Sequence, residues 1–98
     1  MPSLYLHNLA RAITAMHGCE CEHVGTATVH EMSEGQTVWK GEVETFTLTG
    51  HPKASQAFSW GRKDDAGEIR YIAVLNVPPI NSPREAVQAY VVHHAKSK

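Results

Sequence analysis

Imidazoles and thiols alternate along one short stretch of the chain, His17-Gly18-Cys19-Glu20-Cys21-Glu22-His23. Imidazole nitrogen and thiolate sulfur are the donors that zinc and other transition metals take. Glu20 and Glu22 set negative charge beside them. Zinc is therefore the cofactor these residues point to, with His17, Cys19, Cys21 and His23 as its ligands. Spacing limits that reading. On an extended strand, residues two apart are separated by about 6.6 Å and residues six apart by about 20 Å. The donors of one tetrahedral ion lie within about 4 Å of one another. The stretch would have to curl at Gly18 to gather all of them, and its cysteines are separated by a single residue rather than the usual two.

The same residues have a plain structural reading. His17 would end a helix, where an imidazole meets the negative end of the dipole. Cys19 and Cys21 would tuck under a helix as small apolar side chains, and His23 would open a strand. No lysine or arginine adjoins the thiols to lower their pKa, which argues against a nucleophilic or redox pair. The other histidines, His7, His30, His51, His93 and His94, are scattered, and His51 falls in the turn Gly50-His51-Pro52. Ser55 and Ser59 near Lys53 lack a nucleophile elbow, and no glycine-rich phosphate loop is present. Asp64-Asp65 reads as a solvated hairpin tip. Trp39, Phe58, Trp60 and Tyr71 lack the interleaved basic residues of a base-stacking platform and read as packing residues.

Periodicity supplies the elements that must position these groups. Ser3 to His17 reads as a helix, with Leu6, Leu9, Ile13 and Met16 on one stripe, Ser3 as N-cap and Gly18 as the C-terminal stop. Glu22 to Met32 and Gln36 to Thr49 read as strands joined by the turn Ser33-Glu34-Gly35. Along the second strand Trp39 and Val43 fall on one face and Phe46 and Leu48 on the other. A bulge near Glu44, or cover on both faces, would reconcile them. Ser55 to Arg62 and Glu68 to Val77 read as two more strands. Apolar residues on both faces of the last mark it as central. Ser82-Pro83-Arg84-Glu85 has the form of a capping box opening a second helix through Val87, Tyr90, Val91 and His94.

These elements predict an α+β fold over residues 1–98, one domain: helix, four-stranded antiparallel sheet in consecutive hairpins, helix, with both helices on one face. That arrangement would leave Ile72, Val74 and Trp39 on an uncovered face, which predicts a homodimer through the sheet. The order is similar to that of double-stranded-RNA-binding domains. That family has three strands, however, and the helix that starts at Ser82 lacks its lysine cluster, so no binding residue carries over.

Composition bounds the rest. Of 98 residues 42% are hydrophobic and 19% charged, with a net charge of −1. That is globular, and it lacks the basic excess of a nucleic-acid binder. The longest near-apolar run, Tyr71 to Ile80, is too short to cross a membrane, and the N-terminus does not read as a signal peptide. Closely spaced cysteines fit a reducing, cytoplasmic setting. No constellation specifies a reaction. The sequence points to a non-catalytic association module, with metal binding as the alternative.

Overall fold

The structure, a computed structural model, describes residues 4–96, with side chains to residue 92. It is α+β: α1 (Leu4–His17), β1 (Glu20–Ser33), β2 (Gln36–Thr49), β3 (Gln56–Lys63), β4 (Ile69–Leu75) and α2 (Pro83–Lys96). The strands form one antiparallel sheet in the order β1-β2-β3-β4. The helix boundaries follow local chemistry. Gly18 takes φ 65°, which suits glycine, and its N–H closes α1 on the Thr14 carbonyl at 2.9 Å. At the start of α2, Ser82 Oγ accepts from the Glu85 N–H at 3.2 Å while the Glu85 carboxylate accepts from the Asn81 N–H at 3.1 Å. Ser3, expected to cap α1, and the side chain of His94 lie outside the described residues.

The helices lie on opposite faces of the sheet, not on one. In β3 the neighbours Ala57 and Phe58 point to opposite sides. Ala57 packs with Leu9 and Ile13 of α1, Phe46, Leu48 and Cys19. Phe58 packs with Trp60, Val43, Val29 and the α2 residues Ala86 and Val87. β4 divides the same way, with Tyr71, Ala73 and Leu75 under α1 and Ile72 and Val74 under α2, yet it is an edge strand and not the central one expected, its two apolar faces being due to a helix on each side of the sheet. The expected uncovered face therefore does not exist. Met16, expected in the core, is 50% exposed.

Two-sided cover explains the residue pattern of β2. Trp39 and Val43 face α2 while Phe46 and Leu48 face α1, with regular alternation and no bulge at Glu44. One bulge is on β1, at Val24, where pairing passes from His23↔Phe46 to Gly25↔Thr45, and a second register shift falls where Glu31↔Trp39 is followed by Met32↔Thr37, leaving out Val38 of β2. The Val24 bulge reverses the parity of β1. Cys19 and Cys21 pack on the α1 side, and beyond the bulge Val29 packs on the α2 side.

The sheet also divides in its middle. β2 pairs with β3 only over Glu44–Thr47, whereas β3 runs on beside β4 to Lys63. Past the split, the Gly61 N–H donates to Tyr5 Oη at 2.8 Å, so an α1 side chain satisfies a donor that β2 has left. Glycine makes room for it, since a Cβ at position 61 would sit 3.0 Å from Tyr5 Cε1 and 3.2 Å from Ile69 Cγ2. Among the described residues no helix is long and apolar enough to cross a membrane.

Candidate functional site

The alternating His/Cys stretch does not curl. His17 ends α1, and Cys19 is buried in the core beside Ala54 and Leu48. From Glu20 onward the chain is an extended strand. Cys21 and His23 follow on the α1 side of β1, opposite Leu48 and Phe46. The expected ligands are thus spread from helix end to strand. Among the described residues no group of three or more His, Cys, Asp or Glu side chains is arranged to hold a metal ion.

Each group has its own surroundings. The Cys21 thiol donates to the Ala10 carbonyl at 3.4 Å, and burial pushes its pKa up, opposed in part by a hydrogen bond from Thr14. His17 meets the ring of His51 edge-on at 6.0 Å, with its Nε2 buried and without a hydrogen-bond partner. His51 Nδ1 accepts the N–H groups of Lys53 and Ala54, both at 3.0 Å. A nitrogen that accepts carries no proton, so in neutral His51 the proton sits on Nε2. That tautomer leaves His51 a donor toward its surroundings and removes it as a metal ligand for His17 through Nε2.

The strongest polar constellation centres on a residue that the sequence reading passed over. Glu44 is 5% exposed. His23 Nε2 lies 2.8 Å from its Oε1, and Thr26 Oγ1 donates to the same oxygen. His23 also packs edge-on against Phe46. The Val24 bulge makes this possible. Were Val24 paired in the ladder rather than bulged out, Thr26 would face away from His23 and Glu44. The signal was present in the sequence. Glu44 has the same parity as Phe46 and Leu48, which places a carboxylate on a buried face, where it needs a partner.

Beside this cluster lies an open groove of about 650 Å³, lined by α1 residues including His7, Arg11 and Thr14 and by Glu20, Cys21 and Glu22 of β1. Its volume is in the range of small-ligand sites. Glu20 and Glu22 are paired with Thr49 and Thr47, on the side of the strand away from α1. Of the two Asp residues at the β3–β4 turn, Asp64 is structural. Asp64 Oδ1 accepts from the N–H groups of Ala66 and Glu68, and Oδ2 pairs with Arg70 at 2.8 Å. These bonds, the Glu68 N–H foremost, hold the Asp64 carboxyl below the usual carboxylate value.

Comparison with protein-family models, with curated proteins and with solved structures gives no match to this chain.

Proposed function

We propose that this chain is a non-catalytic association module that forms a homodimer through the sheet edge, by antiparallel pairing of β1 with its copy. The observation that carries the reading is the character of β1. It is a 14-residue strand at the edge of the sheet, and Val24 to Val29 carry no charged side chain. Edge strands expose unpaired amides and carbonyls and are commonly protected by lysine, proline or brevity. This one has none of the three, and its bulge at Val24 lies outside the section from Gly25 onward. A two-fold axis at Val29 would pair the section from Gly25 to Ser33 with itself, the second register shift against β2, between Glu31 and Met32, lying near its end. Thr28 would then face the partner's His30, Ala27 the partner's Glu31 and Thr26 the partner's Met32. No like-charged pair arises, and Met32, 55% exposed, gains a cross-strand neighbour.

The thiols of Cys19 and Cys21 are free, which supports a reducing, cytoplasmic setting. Sedimentation equilibrium tests the dimer. The wild type should dimerise at micromolar concentration. The variant T28K/M32K should sediment as a monomer and melt as the wild type does at concentrations where that too is monomeric. A monomeric wild type at about millimolar concentration, roughly −4 kcal/mol of association at best, would end the proposal.

A second reading is favoured by Glu44. Metal-bound histidines commonly donate their other ring N–H to a carboxylate, and His23 Nε2 is held in that manner. Its Nδ1 and the Cys21 sulfur, on one side of β1, would then take a zinc-type ion with solvent completing its shell. His17 and Cys19, the other expected ligands, would stay out. Cobalt(II) titration distinguishes them. A thiolate–cobalt absorption band should persist in C19A and vanish in C21A, and E44Q should weaken binding by about 10–100-fold. Absence of the band in the wild type at stoichiometric cobalt would dismiss this reading.

A further inference from the structure

We infer that the groove between α1 and the first residues of β1 takes a short extended peptide of alternating acidic and basic residues, added as a fifth strand beside Glu20–His23. This site is separate from the proposed dimer contact, which lies beyond the Val24 bulge.

The groove joins the features that strand addition needs. One wall is the free edge of β1, whose outward amides and carbonyls can pair with a peptide backbone. The other is a stripe of α1, where His7, Arg11 and Thr14 recur at helical spacing. The charge is split between the walls. Arg11 and His7 stand on the helix, above the strand. Glu20 and Glu22 are turned to the opposite side, opposite Thr49 and Thr47. All of them are exposed, and none forms an ion pair within the described residues.

Side chains of an added strand alternate up and down. Upward residues meet Arg11 and His7 and are best acidic. Downward residues meet Glu20 and Glu22 and are best basic. The bulge at Val24 ends the regular edge and keeps the added strand short. The recognition rule is thus an order of charges, not a net charge, in keeping with a groove that carries both signs.

The test uses the full chain, labelled with nitrogen-15 and titrated with the capped peptide Ac-Glu-Lys-Glu-Lys-NH2. Controls are the same residues in the order Ac-Glu-Glu-Lys-Lys-NH2 and the alternating peptide methylated on its backbone nitrogens. Amide shifts should concentrate at residues 20–23 and along α1 from His7 to Thr14. The alternating peptide should bind about fivefold more tightly than the blocked order, the size expected of a few exposed charge pairs. Methylation should abolish the shifts. R11E should lose the preference for the alternating order while keeping its fold, read from unchanged shifts elsewhere. Equal binding of both orders, binding that survives methylation, or shifts confined to other surfaces would each overturn the inference. Repeating the titration on T28K/M32K separates the sites, since that variant removes the dimer contact and leaves the groove intact.

Discussion

The two sides of the sheet are built on different principles. The α2 side is dry and aromatic. Trp60, 1% exposed, meets Trp39 edge-on at 5.5 Å and Tyr90 at 5.3 Å. Its main polar tie, Glu31 to Arg84 at 2.7 Å and to Gln88 at 2.9 Å, clamps α2 onto β1. The α1 side has an aliphatic centre at Leu9 and Ile13, yet polar groups enter it at every margin: Tyr5 on Gly61, Cys21 on Ala10, and His23 with Thr26 on Glu44. Large buried aromatic area supplies much of the packing on the α2 side, although Trp60 Nε1 is buried without a hydrogen-bond partner among the described residues. Buried polar groups add less net stability but fix orientation. The contrast places the aromatic anchor on the α2 side and most of the buried polar contacts on the α1 side.

That division can be broken by mutation, and the largest effect belongs to the dry side. Trp60→Ala should cost about 3–5 kcal/mol in urea denaturation. A loss below about 1 kcal/mol would mean that the aromatic cluster does not anchor the fold. Next is Glu44→Leu on the wetter side. It strands Thr26 and His23 beside an apolar group and should cost about 1–3 kcal/mol. A double-mutant cycle with His23→Gln should return a coupling of at least about 0.5 kcal/mol, and additive losses would show that the pair is incidental.

Smaller still is Tyr5→Phe, about 1 kcal/mol for one hydrogen bond to Gly61. It also has a pH signature. Burial raises the Tyr5 phenol above its usual value. Its contribution is therefore complete below the unfolded-state pKa, near about 10, and is lost as pH rises through the folded-state value. The wild type should lose stability on that alkaline limb more steeply than the phenylalanine variant, and parallel curves would refute the burial argument. The smallest effect is expected at Arg84→Ala. Its side chain is 67% exposed, so the loss should lie within about 0–1 kcal/mol in thermal unfolding. A larger loss would make the Glu31 clamp, rather than the aromatic cluster, the main fastening of α2.

The strands and their turns were legible because alternation reports directly on backbone geometry. Ile69, Tyr71 and Ala73 against Ile72 and Val74 mark β4 as covered on both sides without reference to any other element. The capping residues Ser82 and Glu85 likewise act within one turn. The side of the sheet on which each helix lies was not legible, because an apolar stripe on α2 fits either face equally well. The apolar residues on both faces of β2 and β4 already asked for two-sided cover, and economy of arrangement misled. The metal reading failed to gather its residues for a related reason. Residue type is local, but convergence depends on a curl that β1, paired with β2 from Glu20 onward, does not make. Glu44 was singled out only as a place for a bulge, because its partners, His23 and Thr26, have like parity only after the bulge at Val24 is counted.

The bulge at Val24 works as a half-turn coupling in the strand. Deleting that one residue would close the bulge and leave every later residue of β1 opposite its present partner, so Val29 and Glu31 would keep their contact with α2. Drawing Val24 into the ladder at unchanged length would instead move each later residue by one place, turning Val29 and Glu31 out and Thr28 and His30 in. The interior of the molecule therefore depends on one residue staying out of the pairing.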